Sequence, residues 1–399
     1  MKMKRVCYTL LILSGIVPVL CSCGQKKAAA PAPAEAVVEE EIVVDTASAA
    51  SHEEAATLVA DKALNDAARF VAGLPVSDEN SKLYALTQTG EWKSHARNME
   101  QIWNSFQQTA PKAIAFAQAE LEDINARCNT LFYPFGGPDF LFSNTFFPDM
   151  DTYFLIGLER AGRATEVKHP SADTYRLYQN AVSDILNLSF FRTKDMKVEL
   201  SNDTIDGVVP IITLLMVRAD RELVSIKNAR LTDDGQFSTE NEDGTPITRS
   251  TGLMEIKYFR TGTDKLQTLY YLSTDLSNGG LPKNEKLKAC IARFDPKTTA
   301  TFIKSASYLM HEKYFSAIRD AILGSSSAVM QDDSGIPLPY YDPAQWDVTL
   351  YGTFYKPIAL FSEYPQPELR DAYQVGDPKP LNFRIGYARQ SNVQVVRKK

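Results

Sequence analysis

Small and apolar residues recur at Ala56, Ala60, Ala63, Ala67, Phe70 and Leu74, and this spacing lays one face of a helix. Ser51 with Glu54 gives a capping-box pattern at its start, and Gly73 with Pro75 gives a stop. The same period returns over residues 91–106, with Trp92, Ala96, Met99, Trp103 and Phe106 on one stripe. Pro111 restarts a helix, and Ile114, Ala117, Leu121 and Ile124 carry it to about residue 127.

The pattern changes after residue 128. Residues 131–135 read as a short buried strand, Gly136-Gly137-Pro138 as a turn, and residues 139–146 as a short helix stopped by Pro148. A second apolar strand follows at residues 153–158. Strand, helix and strand this close together predict a tight βαβ unit and hence a parallel pair. Helices are predicted over residues 172–189 and 207–219. Residues 222–275 predict an antiparallel meander. There Met254, Ile256 and Tyr258 alternate with Glu255, Lys257 and Phe259, and residues 261–264 make a hairpin. The return strand sets Leu266, Thr268, Tyr270 and Leu272 on one face. A helical block is predicted over residues 284–323, strands near 347–355 and 382–388, and a short helix near 367–373. The expected fold is α/β verging on α+β: a mixed sheet with a βαβ unit and an antiparallel meander, with N-terminal helices and further helices packed on the sheet.

The first residues do not belong to that fold. Lys2, Lys4 and Arg5 precede a largely apolar run over residues 6–20, which ends in Leu20-Cys21-Ser22-Cys23. Fifteen residues fall short of the ~20 a bilayer needs, so the segment reads as an export signal rather than a spanning helix. The alternative is an uncleaved N-terminal anchor. The ending resembles the lipobox of bacterial lipoproteins. That resemblance implies cleavage before Cys23, lipidation of Cys23 and attachment to membrane lipid, with residues 1–22 removed as a signal peptide. Gly24 after the cysteine leans toward the outer membrane, and the basic Lys26-Lys27 toward a periplasm-facing body.

Residues 23–50 are the lipidated cysteine followed by Ala, Pro, Glu and Val with little else, a composition that cannot bury a core. As a flexible chain the stretch reaches about 30 Å on average. The expected order thereafter is an N-terminal helical region, 51–128, and a mixed α/β body, 129–399, forming one globular unit. Hydrophobic content of 44% with 23% charged residues places the body among globular chains. The formal charge of −6 falls to about −9 once the three signal cations leave, which argues against nucleic acid as a partner. Of five cysteines, Cys7 and Cys21 leave with the signal. Cys128 and Cys290 are then either one disulfide or two buried thiols. No Cys-x-x-Cys spacing supports zinc or thioredoxin-type chemistry.

Candidate chemistry centres on the βαβ unit. The loop after a strand lies at the carboxyl edge of the sheet, where ligands bind. Gly136 and Gly137 let backbone approach a ligand, and the helix start attracts anions. Asp139 either joins that site or caps its own helix. In the second case Asp139→Asn costs no more than about 1 kcal/mol. Glu159 and Arg160 leave the second strand at the same edge, either to meet Asp139 or as a solvated pair. Two carboxylates and an arginine suit acid–base work or a divalent cation. Asp332-Asp333-Ser334-Gly335 is either a plain turn or the source of a third carboxylate. Ser334 lacks the Gly-x-Ser-x-Gly context of a nucleophile. His52, His95, His169 and His311 show no metal-ligand spacing, and His311 alone lies near sheet-edge segments. The aromatic residues Tyr340, Tyr341, Trp346, Tyr351, Phe354 and Tyr355 either line a groove or fill the core.

Over about residues 130–370 the chain also resembles secreted proteins and lipoproteins of Bacteroidota-like bacteria. Tyr133-Pro-Phe-Gly-Gly-Pro-Asp-Phe140, Phe146-Phe-Pro148, residues 153–159 and 330–337, Trp346 and Tyr351-Gly352 carry that resemblance. It implies one module and no assigned activity or cofactor. The expected function is therefore a membrane-anchored, periplasm-facing module for ligand binding or envelope maintenance. Its partners would be membrane lipid through Cys23 and a protein or small-molecule ligand. The rival expectation is an anchored hydrolase or metal-dependent enzyme using the sheet-edge carboxylates.

Overall fold

In the computed structural model, which describes residues 59–167, 170–188, 205–387 and 391–399, ten strands form one mixed sheet. The expected signal peptide, Cys23, the low-complexity stretch, the Ser51–Glu54 cap, His52 and His169 lie outside the described residues.

Among the described residues five helices come first: α1 (Lys62–Val71), α2 (Lys82–Thr87), α3 (Gly90–Gln107), α4 (Ala110–Glu120) and α5 (Glu122–Arg127). The βαβ unit follows as β1 (Thr130–Tyr133), α6 (Phe140–Phe146) and β2 (Thr152–Gly157). Among the described residues α7 (Ala172–Leu188) and α8 (Val209–Arg218) precede β3 (Arg221–Leu231), β4 (Phe237–Ser238), β5 (Leu253–Arg260) and β6 (Leu266–Ser273). The chain continues through α9 (Glu285–Ala292), β7 (Thr299–Ile303), α10 (Ser316–Ser325), β8 (Ala328–Gln331), β9 (Trp346–Gly352), α11 (Pro367–Val375) and β10 (Asn392–Lys398).

The sheet order is β4-β3-β5-β6-β2-β1-β7-β8-β10-β9. Strands β6, β2, β1, β7 and β8 run parallel, with Leu131 opposite Tyr153 on one side and Ala300 on the other. Antiparallel strands flank this centre on both sides. The α/β class, the βαβ unit, the meander and the helices on the sheet are all present as the sequence predicts.

Both faces of the sheet are covered. Tyr133, Leu155, Leu269, Tyr271, Phe302 and Met330 face one core together with α1, α3, α4 and α6–α8. Phe132, Phe154, Ile156, Ile303 and Val329 face a second core with α9 and α10. The alternation of side chains along each strand divides the two layers. Helix α8 is apolar on every side and wholly buried, as a helix inside a layer must be.

Three readings from sequence need correction. The buried face of α1 is not the alanine row: Ala63 is exposed, while Asn65, Asp66, Ala68 and Phe70 are buried. Asn65 bonds both the N–H and the carbonyl of Leu223 at the start of β3, and Asp66 accepts the N–H groups of Ser77 and Asp78. Matching backbone groups outweighs burying alanine methyls there. The helical block over 284–323 is interrupted by β7, whose Thr-Ala-Thr-Phe-Ile run lies between β1 and β8 with all five residues buried. The strand expected at 382–388 is not one over its described residues, 382–387. That segment packs Phe383 and Ile385 as a loop, and Gly386 turns at φ +77 against the Asp332 carboxylate. The last strand lies beyond it.

Candidate functional site

Strands β1 and β7 are neighbours, but the helices that follow them go to opposite faces. Helix α6 joins the first core and α10 the second. The carboxyl edge between two such strands is a switch point, where the diverging loops leave a crevice. A cavity of about 200 Å³ lies there, lined from the loops after β1, β2, β6 and β7.

The inner wall follows from strand alternation. Phe302 and Lys304 leave β7 on the same side, next to Tyr133 of β1, whose ring lies 4.7 Å from that of Phe302. The Lys304 side chain is 2% exposed, and its Nζ lies 2.5 Å from Asp139 Oδ2. The Tyr133 hydroxyl donates to the same oxygen at 2.9 Å, and Asp139 Oδ1 accepts the Phe142 N–H at 3.1 Å. Asp139 is thus both the cap of α6 and the counter-ion of a buried lysine. The Lys304 ammonium also sits 3.9 Å above the Phe142 ring. Burial pushes the Lys304 pKa down, while Asp139 and Asp332 pull it back up. Burial and the Asp139 charge hold Tyr133 protonated.

The second wall comes from β2 and β6. Glu159 is buried, and its carboxylate is seated between Gly137 and Gly157. A Cβ on Gly157 would lie 2.5 Å from Glu159 Oε2 and 2.6 Å from the Tyr271 hydroxyl. Gly137 turns at φ +53, a conformation glycine adopts without strain. Gly136 lies against the Tyr133 ring, where a Cβ would approach to 2.6 Å.

The loop after β7 is held in a strained form. Ser305, Ser307 and Tyr308 take φ values of 53°, 52° and 54°, each costing about 1–3 kcal/mol in a residue with a side chain. Side chains from elsewhere hold it there. The Ser305 N–H donates to Asp332 Oδ2 at 2.9 Å, and the Ala306 N–H to Ser334 Oγ at 2.7 Å. Tyr387 accepts the Ser307 N–H at 3.0 Å and donates to the Ser305 carbonyl at 2.5 Å. The Tyr308 hydroxyl donates to Asp333, which also accepts from Asn392 at 2.8 Å. Ser305 Oγ, by contrast, is buried with no hydrogen-bond partner.

Of the residues predicted from sequence, Gly136, Gly137, Asp139 and Glu159 line this cavity together. Arg160 does not: it points away, pairs with Asp206 at 3.0 Å and stays exposed. Arg160 lies past the end of β2, and Asp206, which also pairs with Arg163, draws its guanidinium away from the crevice. Asp332 and Asp333 form a buried turn one layer behind the cavity, bracing the β7 loop rather than lining the space. Burial and the neighbouring Asp333 charge push Asp332 up to about 6, and burial raises Asp333. These carboxylates are engaged with Lys304, loop amides and hydroxyls. Among the described residues no group of three or more His, Cys, Asp and Glu side chains is arranged to hold a metal ion.

His311 is packed against Tyr308 and Tyr364, and burial lowers its pKa to about 4. His95 is a core histidine whose Nε2 lies 2.9 Å from the Val71 carbonyl and whose Nδ1 lies 2.9 Å from Gln179 Nε2. Cys128 and Cys290 are free, buried thiols in the two different cores. Of the late aromatic residues, Tyr341, Trp346, Tyr351 and Phe354 are core, while Tyr340 and Tyr355 are exposed.

Sequence reasoning missed Lys304 and Ser305, and both for one reason: they follow the strand that was read as helix. The run Thr-Ala-Thr-Phe-Ile before Lys304 is the signal that could have placed them. Set against family models, curated protein sequences and solved structures, the chain gives no match, so its function is argued from this geometry.

Proposed function

We propose that the chain is a lipid-anchored envelope protein, periplasm-facing, whose body captures a small molecule at the carboxyl edge of its sheet. One observation carries the binding part: four loops from parallel strands converge on a single cavity built over a buried Tyr133–Asp139–Lys304 cluster. Closely placed, mutually satisfied polar groups under an apolar-walled space are the arrangement that orients a ligand. The anchoring part rests on the basic start, the apolar run and Leu20-Cys21-Ser22-Cys23. No helix among the described residues is long and apolar enough to cross a membrane, so attachment in this reading belongs to Cys23.

A thermal-shift screen of a metabolite library tests the cavity. Hits should disappear in Leu158→Trp, which fills the exposed rim of the cavity. A library without hits, or hits indifferent to Leu158→Trp, would remove the binding reading. A second reading, hydrolysis, has one observation in favour. Ser305 Oγ is unpaired and held in a strained turn beside Lys304, whose pKa is lowered. Ester turnover abolished by Ser305→Ala would replace capture by catalysis.

A further inference from the structure

The charges around the cavity do not balance. Its lining carries Asp139, Glu159 and Asp275 against one cation, Lys304. Asp139 and Lys304 compensate each other at 2.5 Å. Asp275 lies at the exposed mouth and accepts from the N–H and hydroxyl of Ser277, each at 2.8 Å, which leaves its charge in place.

Glu159 is the sharper case. It is 4% exposed, and no lysine or arginine among the described residues pairs with it. The Tyr271 hydroxyl is its neighbour, but that group has one proton. The proton goes to the Glu159 main-chain carbonyl at 2.9 Å, while Oε2 stands 3.4 Å away. Burying a carboxylate without a counter-charge costs several kcal/mol in general. Gly137 and Gly157 nevertheless leave room for it at the cavity wall, where Oε2 would stand 3.6 Å from a Cβ on Gly137. Ser305, whose Oγ is buried without a hydrogen-bond partner, belongs to the lining of the same cavity. The rest of the wall is mainly apolar, with Ile156, Leu276, Leu309 and Phe315, and carries Thr274 and Ser307. Two uncompensated negative charges beside low-dielectric walls concentrate cations.

We infer that the cavity takes a small organic cation, a protonated primary amine on a short aliphatic body, with the ammonium against Glu159 and the aliphatic part against Leu276, Leu309 and Phe315. This rests on the edge being a ligand site and adds the class of ligand. An ammonium supplies the donors and the charge that Glu159 lacks, and its compact head suits a cavity of about 200 Å³.

Isothermal titration of the full acylated chain in detergent, at pH 7, with isopentylamine, isopentanol, isovalerate and calcium chloride tests it. The amine should bind at least about tenfold more tightly than the alcohol, and isovalerate should not bind. Glu159→Gln should weaken the amine by at least about tenfold and leave the alcohol within about twofold. Should Glu159→Gln fail to fold, Asp275→Asn at the exposed mouth should still weaken the amine alone, by about two- to threefold. Isovalerate or isopentanol binding as tightly as the amine, with Leu158→Trp blocking it, would overturn the inference and leave the binding site standing. Calcium binding that depends on Glu159, without amine binding, would overturn it in favour of a metal. Silence from all four probes would also overturn it, and silence from the metabolite library as well would take the binding site with it.

Discussion

Replacing Asp139 by Asn separates two roles that this residue combines. As a helix cap, asparagine serves about as well as aspartate, so losing that role costs only a few tenths of a kcal/mol. As the counter-ion of Lys304 it has no substitute. The lysine side chain is 2% exposed, and without Asp139 its ammonium keeps only the Phe142 ring and the more distant charge of Asp332. Removing one partner of a buried pair costs about 3–5 kcal/mol. The lower end applies, because burial already disfavours the charged lysine and the proton can leave. We expect a loss of about 3 kcal/mol at pH 7, read as the shift in urea unfolding at constant slope. The gap between wild type and mutant should narrow as pH rises. Both folded proteins hold the Lys304 proton less tightly than the unfolded chain does, and the mutant holds it least, so the mutant gains more stability as pH rises and closes on the wild type. Asp139→Asn combined with Lys304→Met should recover most of the loss, giving a coupling of about 2 kcal/mol or more. A cost under about 1 kcal/mol, the helix-cap value expected from sequence, would refute the reasoning. Simple additivity in the double mutant would do the same.

Three further outcomes are expected. Asp332 titrates near 6 because of burial and Asp333; a raised carboxyl stabilises below its unfolded pKa and loses that contribution as pH rises through the folded value. Wild type should therefore weaken from about pH 4 to about pH 6.5, and Asp332→Asn should flatten that slope in a series of urea midpoints. Gly157→Ala would drive a Cβ to 2.5 Å from Glu159 Oε2, so it should cost about 1–3 kcal/mol by overpacking, and a neutral result in urea would contradict the seating of Glu159. Burial raises both thiols, Cys290 to about 12, so Ellman's reagent at pH 8 should find Cys128 and Cys290 silent in the native protein and reactive in urea; rapid native labelling would count against the two-core placement.

Much of the sheet was readable because its strands announce themselves by alternation. Residues 254–258 and the βαβ run around Pro138 carry patterns that local chemistry alone can make, and the carboxyl-edge rule then placed Gly137, Asp139 and Glu159 on one side of the molecule. What failed depended on partners far along the chain. Strand β7 is pinned between β1 and β8, and the β-branched and aromatic residues of its short Thr-Ala-Thr-Phe-Ile run become decisive against the helical segments around it only with those neighbours. Losing that strand hid Lys304, and without Lys304 the role of Asp139 shrank to a helix cap. Asn65 and Asp66 were unreadable for a related reason: a polar residue on a buried helix face makes sense only once Leu223, Ser77 and Asp78 are known to face it. Arg160 was misplaced by treating neighbours in sequence as neighbours in direction.

Strand β10 lies between β8 and β9, although it follows both in the chain. Until residues 392–398 arrive, β8 presents a bare edge and β9 has no sheet to join. Both carry hydrogen-bonding groups ready to pair with another chain. A chain that emerges from its N-terminal side first therefore holds this part of the sheet open until residues 392–398 are in place. Val329 and Tyr351 gain their β10 partners only when that strand slots in. A nonsense codon anywhere in the final strand would then lead to aggregation and proteolytic clearance rather than to a slightly shortened, working protein.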